Sequence, residues 1–146
     1  MHLDNLYQEV ILDHYKRPEY KKLSDSYSVE VHHVNPSCGD EITLRLSVPP
    51  GGLIDLSWDG VGCSISMASA SVMAGLLNGK TLNASAPILD EFVLLMQSKG
   101  TAVGDDEILE DAVAFSGVSK YPARIKCALL AWMAFKDASV QVQVES

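Results

Sequence analysis

The sequence predicts an α+β single domain: a three-stranded antiparallel sheet with helices packed on one face. Three observations predict it. Between residues 28 and 60, three short segments alternate apolar and polar residues, the period of half-buried strands. Their connections, "NPSCGD" and "PPGG", are rich in turn formers. On both sides of this block apolar residues recur at helical spacing. A chain of 146 residues is long enough for one domain with a real core. It divides into an N-terminal helix (1–18), the sheet (28–60), a helical part (64–138) and a tail (139–146).

The elements follow in order. Leu3, Leu6, Tyr7, Val10, Ile11 and Tyr15 predict an amphipathic helix over residues 3–16, which Pro18 stops. Ser28 to Val34 sets Val29, Val31 and His33 on one side. Glu41 to Val48 does the same for Ile42, Leu44, Leu46 and Val48, and Leu53 to Asp59 for Ile54, Leu56 and Trp58. "SISMASASVMAGLLNG" is rich in small residues, with Ile65, Ala68, Val72 and Leu76 at helical spacing and Gly79 at its close. A second helix is predicted from about Ser85 to Gln97, with Pro87 in its first turn and Ile88, Phe92 and Leu95 inward. "SKGTAVGDD" reads as a loop. Asp106 to Phe115 reads as a short helix whose acidic start complements the helix dipole, broken by "SGVSK". Pro122 opens a last helix in which Ile125, Leu129, Trp132 and Lys136 share a face, and "SVQVQVES" is expected to fray.

Composition narrows the function. Apolar residues make up 47% and charged residues 21%, the balance of a soluble globular protein. The longest apolar runs fall far short of the roughly 20 residues of a membrane span. The N-terminal stretch has acids among its apolar positions and no small-residue cleavage site, so it does not read as a signal peptide, and the expected location is cytoplasmic. A net charge of −8 argues against nucleic acid as a partner, because phosphate binding needs clustered Lys and Arg. Local basic groups exist at Lys16, Arg17, Lys21 and Lys22 and at Arg124 and Lys126; they suit either a docking surface or a solvated face.

The chemistry lies in three cysteines, Cys38, Cys63 and Cys127. An odd number in a reducing compartment is not a disulfide framework, and no CxxC pair exists. Buried thiols, a metal site and reactive sulfur all remain open. Placement strengthens the shared-site reading without excluding three separately buried thiols. Cys38 sits in the turn between strands one and two, and Cys63 in "DGVGCS", where strand three hands over to a helix. In a meander those two points lie at the same end of the sheet. Cys127, near the start of the last helix, reaches them if that helix begins at the same end. Asp40 is the fourth candidate: it stands two residues from Cys38, with Gly39 letting the backbone curl between them. Three thiolates and a carboxylate make a four-coordinate set that zinc accepts. Such a set carries excess negative charge, which favours the flanking cations Arg124 and Lys126. Its hard carboxylate makes it easier to open than a four-cysteine site. His32 and His33, close to the Cys38 turn, are further ligand candidates. His14 reads as a surface or packing residue, and Tyr7, Tyr15, Trp58 and Trp132 as core. There is no phosphate loop and no Ser-His-Asp arrangement.

With "LYQEVILDHYKRP", "NPSCGDEITL", "GVGCSIS" and "YPARIKCALLAW" in that order, the chain from Leu6 to Lys136 resembles the SufU/IscU family, the U-type (NifU N-terminal-like) iron–sulfur cluster assembly proteins. The resemblance implies a small antiparallel sheet backed by helices, with a metal held by Cys38, Asp40, Cys63 and Cys127. It implies a pyridoxal-phosphate-dependent, SufS-like cysteine desulfurase as partner, with downstream iron–sulfur assembly proteins. Scaffold-type members carry a histidine immediately before the third cysteine; here that residue is Lys126, a poor ligand while protonated. Lys126 and the long stretch between Cys63 and Cys127 resemble the SufU branch. That branch implies bound zinc, with a desulfurase histidine displacing Cys38 so that Cys38 accepts persulfide sulfur and the desulfurase is stimulated. On this reading the protein is a persulfide acceptor rather than a stand-alone enzyme, and Arg124 and Lys126 steer anionic sulfur. Two alternatives stay open: a scaffold that assembles a [2Fe–2S] cluster from iron on the same cysteines, and a non-catalytic interaction domain stapled by zinc.

Overall fold

The computed structural model describes residues 5–49 and 52–145. Leu3 lies outside the described residues, as do Pro50 and Gly51 of the "PPGG" turn. Helix α1 spans Asn5–Lys16, strands β1, β2 and β3 span Val29–Asn35, Asp40–Ser47 and Asp55–Val61, and helices α2 and α3 span Ser64–Leu77 and Leu82–Gln97. A short α4, Asp106–Leu109, runs into a 3-10 segment, Glu110–Lys120, before the long α5, Pro122–Glu145. No helix among the described residues is long and apolar enough to cross a membrane.

The sheet is the expected meander, in the order β1-β2-β3 with both pairs antiparallel. The register stacks Val31, Leu44 and Trp58 in one row across the three strands, and Val29, Leu46 and Leu56 in another. All six are buried, whereas Glu30, Glu41 and Asp59 point to solvent. This is the one-sided burial that alternation encodes. Helix α5 covers β1 and β2, and α2 lies against α1, α5 and β3.

The small-residue helix α2 is the middle of the fold. Every residue from Ile65 to Ala74 is buried, so its hydroxyls need partners inside the protein. Ser69 Oγ donates to the Ala128 carbonyl at 2.6 Å and accepts from Trp132 Nε1 at 3.0 Å, tying α2 to the start of α5. Ser71 Oγ accepts the Glu19 amide at 2.7 Å and meets His14 Nδ1 at 2.8 Å, while the far nitrogen of His14 meets Asp111 at 3.0 Å. His14 is therefore a packing residue that joins α1 to α2 and to the 3-10 segment. Trp132 stacks on Phe92 with ring centroids 4.2 Å apart.

Several boundaries differ from expectation. Helix α3 begins at Leu82 because Thr81 caps it, its side chain accepting the Ala84 amide at 3.1 Å. Pro87 thus falls in the second turn, where it and Asn83, whose carbonyl it cannot bond, are both exposed. The helix expected over Asp106–Phe115 is α-helical for one turn only, and "SGVSK" continues the 3-10 run instead of ending it. Leu109, Ala112, Phe115 and Val118 recur every third residue and all are fully buried, which matches the threefold repeat of a 3-10 helix. The tail does not fray: α5 continues to Glu145, and Val142 is buried on the stripe of Phe135 and Ala138. The inward stripe of α5 runs through Cys127, Ala131, Trp132, Phe135 and Ala138; Ile125 and Leu129 are half-buried and Lys136 is exposed. Tyr15, expected in the core, is exposed, and Tyr7 is half-buried.

Candidate metal centre

Three elements deliver the four predicted ligand residues to one end of the sheet. The β1–β2 connection closes with the Cys38 amide on the Asn35 carbonyl at 3.2 Å. Gly39 takes φ 69°, a left-handed conformation that a residue with a Cβ resists. Asp40 opens β2 with its side chain inward and almost wholly buried. At the end of β3 the chain turns through Gly62 into α2, whose N-cap is Cys63. The Cys63 side chain caps nothing; instead its backbone amide donates to Asp40 Oδ1 at 2.9 Å. A Cβ on Gly62 would press on that same carboxylate oxygen, so this junction favours glycine. Cys127, in the second turn of α5, is fully buried.

The side chains converge. Cys127 Sγ lies 3.3 Å from Cys38 Sγ, and Cys63 Sγ lies 4.0 Å from Asp40 Oδ2. One ligand atom from each of Cys38, Asp40 and Cys127 lies within 4.8 Å of the others. Cys63 stands against Asp40, outside that tightest group. A tetrahedron with zinc–sulfur bonds of about 2.3 Å has sulfur–sulfur edges of roughly 3.8 Å. The Cys38–Cys127 spacing of 3.3 Å is slightly shorter than that edge, so Cys38, Asp40 and Cys127 fit a zinc-sized ion in donor chemistry and span, with Cys63 adjoining them through Asp40. Cys38 and Cys63 are half-buried, whereas Asp40 and Cys127 are buried, so the site is open on one side.

Electrostatics agree. Burial pushes the Cys127 thiol well above its ordinary range, and hydrogen bonds to Cys38 and Asp40 and the facing Cys63 push it further. Without added positive charge this sulfur stays a thiol; a bound divalent cation is the kind of charge that would ionise it.

The remaining candidates separate. Arg124 lines an open cleft of about 370 Å³ beside Cys63, walled by Ile11, Leu12 and Ile65. Lys126 is exposed and is not among the residues lining that cleft. Neither makes an ion pair among the described residues. His32 is bonded to Thr43 at 2.9 Å and His33 to Asp137 at 2.8 Å, so both are engaged away from the thiols. Sequence reading passed over two residues of the site. One is Gly62. The other is Asn35, whose amide nitrogen lies 3.5 Å from Asp40 Oδ2 and 3.8 Å from Cys127 Sγ. Its signal is its register opposite Asp40.

A three-stranded meander backed by helices, with three cysteines and a buried aspartate at one end, defines a small α+β domain with a candidate metal site. The chain belongs to the family of NifU-like N-terminal domains, whose model matches residues 6–128. It is 46% identical over 136 residues to the zinc-dependent sulfurtransferase SufU of Bacillus subtilis, covering 92% of this chain and 89% of that protein. It is 36% identical over 136 residues to the iron–sulfur cluster assembly scaffold protein IscU of Streptococcus pyogenes serotype M1, covering 93% of this chain and 84% of that one. Among solved structures it superimposes on a candidate iron–sulfur cluster assembly scaffold for the SUF system from Fervidobacterium islandicum with TM-score 0.81 and 31% identity, over 90% of this chain and 94% of that one. The N-terminal part of a NifU-like protein from Brucella abortus shares the fold with TM-score 0.85, 24% identity and 98% of each chain covered.

Proposed function

We propose that this protein acts in iron–sulfur cluster assembly as a zinc-bound sulfur acceptor and carrier. It takes persulfide sulfur from a pyridoxal-phosphate-dependent cysteine desulfurase, stimulates that enzyme, and passes the sulfur to downstream assembly proteins. The observation that carries the reading is the half-buried sulfur of Cys38, on a tight turn, 3.3 Å from the buried sulfur of Cys127. The identity to a zinc-dependent sulfurtransferase supports it.

Cys38, Asp40, Cys63 and Cys127 would hold the zinc. When bound, zinc supplies the positive charge that keeps these thiols deprotonated near neutral pH. Cys38 is the nucleophile, because it is the more accessible of the closest sulfur pair. Its thiolate attacks the outer sulfur of the partner's persulfide. A new sulfur–sulfur bond forms on Cys38, the bond to the partner's cysteine breaks, and that cysteine leaves as a thiolate, with no net oxidation. Asp40 uses Oδ1 to hold the Cys63 amide and leaves Oδ2 for the site. As a hard oxygen donor among sulfurs it keeps the set exchangeable. Arg124, at the cleft beside Cys63, attracts the anionic sulfur, and Lys126, exposed next to Cys127 in the chain, adds positive charge.

The test is to purify the protein without added metal, measure zinc and iron, and incubate it with a cysteine desulfurase and cysteine. Mass mapping is expected to find one added sulfur on Cys38 and zinc in the protein. The second reading, a scaffold for a [2Fe–2S] cluster, draws on the likeness to IscU proteins and predicts iron and visible colour. A zinc staple without transfer predicts zinc and no persulfide on Cys38.

A further inference from the structure

Asn35 is the last residue of β1, directly opposite Asp40 across the strand pair, and it is buried. It takes the inward position that Val29 and Val31 hold further along the strand. An amide at an apolar position needs a reason, because burying it without partners is costly. Its side-chain nitrogen carries two hydrogens. The nitrogen is shared between Asp40 Oδ2 at 3.5 Å and Cys127 Sγ at 3.8 Å. Its backbone carbonyl also closes the Cys38 turn. One residue therefore touches three of the four predicted ligand residues. These contacts are long for neutral partners, and hydrogen bonds to ionised acceptors are shorter and stronger.

We infer that Asn35 is a positioning residue for the metal centre: its amide anchors Asp40 and Cys127 in ligating orientation and donates to both once they are anionic. Among the described residues the Cys38 sulfur has no amide donor; its only hydrogen-bond partner is Cys127. Two ligands are thus braced from behind and the nucleophilic one is left free to move. The inference rests on the reading of these residues as a metal site. Outer partners of this kind orient metal ligands, and their loss typically weakens metal binding by about 10–100-fold.

The experiment replaces the amide with a near-isosteric side chain that has no donor, Asn35→Leu. Zinc affinity is measured by competition with a chromogenic chelator, and the thiolate-to-metal charge-transfer bands are recorded with cobalt(II). Asn35→Leu is expected to weaken zinc by about 10–100-fold. It should also move the cobalt bands to lower energy, because a sulfur that has lost a hydrogen bond gives up its electrons more readily. Asn35→Thr, which keeps a hydroxyl donor, should fall between the two. Zinc affinity within about twofold of the parent and superimposable cobalt bands in Asn35→Leu would overturn the inference while leaving the metal site standing. No charge-transfer band in the parent protein would remove the metal reading itself, and this inference with it. If Asn35→Leu does not fold, the shape-matched pair Asn35→Thr and Asn35→Val decides: identical bands and affinities in the pair overturn the role of the donor.

Discussion

The sulfurs of Cys38 and Cys127 lie 3.3 Å apart although 89 residues of chain separate them. The contact exists because α5 starts at the end of the sheet where β1 turns into β2. Ser69 of α2 holds that start by donating to the Ala128 carbonyl. Since the Cys127 thiol is pushed up by burial first and by its thiol and carboxyl neighbours second, metal must displace a proton to bind there. Zinc uptake by the metal-free protein is therefore expected to release protons, and zinc affinity to rise with pH through the neutral range. Proton release read with an indicator in weak buffer checks this. Affinity flat between about pH 6 and 8 would show that the thiols are not the ligands.

Asp40 has two separable jobs, one per oxygen. Oδ1 accepts the Cys63 amide at the start of α2, and Oδ2 faces the sulfurs. Asp40→Ala leaves that amide without its acceptor and should lower the stability of the metal-free protein by about 1–3 kcal/mol. Asp40→Asn keeps a carbonyl acceptor and should lose less. Both variants remove the anionic ligand, so both should lose persulfide accumulation on Cys38. Urea unfolding and mass mapping on the same samples separate the two effects. Normal sulfur acceptance by Asp40→Ala would remove Asp40 from the mechanism.

Gly62→Ala tests the same junction from the backbone side. The added methyl presses on Asp40 Oδ1 and meets Ser66 Oγ at 2.7 Å. Something must shift, and the Asp40 carboxylate is the nearest group. The expected outcome is a folded protein with weakened zinc binding, measured by chelator competition. Unchanged affinity would mean that the carboxylate can move without consequence for the site.

The sheet, and the placing of the Cys38 turn and the end of β3 at one end of it, were legible because both follow from local pattern. Ile42, Leu44 and Leu46 alternate cleanly, and a meander puts the β1–β2 turn and the end of β3 together. The place of Cys127 depends on which end of the sheet α5 starts from, which spacing does not encode; only the family resemblance supplied it. The 3-10 segment was misread because Leu109, Ala112, Phe115 and Val118 repeat every three residues, a period close enough to the α-helical one that packing has to decide. The tail is expected to fray because chain ends commonly do, yet Val142 falls seven residues after Phe135 and extends the buried stripe of α5. Asn35 became visible only through register, since nothing in "NPSCGD" says which of its side chains turns inward.

The last prediction concerns His33, which leaves the ligand list but keeps a structural task. Its Nε2 meets Asp137 Oδ2 at 2.8 Å, bridging β1 to the helix that carries Cys127. That contact first, and the hydrogen bond from Gln141 second, hold the Asp137 carboxyl below its ordinary range. A carboxyl depressed in the folded state adds stability that is present above its unfolded value, about 3.9, and is lost as pH falls through the lower folded value. The side chain of Asp137 is 43% exposed, so solvent screening keeps the contribution small. His33→Leu should therefore raise the Asp137 titration midpoint toward the ordinary carboxylate value, read by carbon-detected NMR of the side-chain carboxyl. Zinc affinity should stay unchanged, because His33 is bonded to α5 and not to the thiols. A midpoint that does not move would assign the depression to Gln141 alone, and a loss of zinc would return His33 to the metal site.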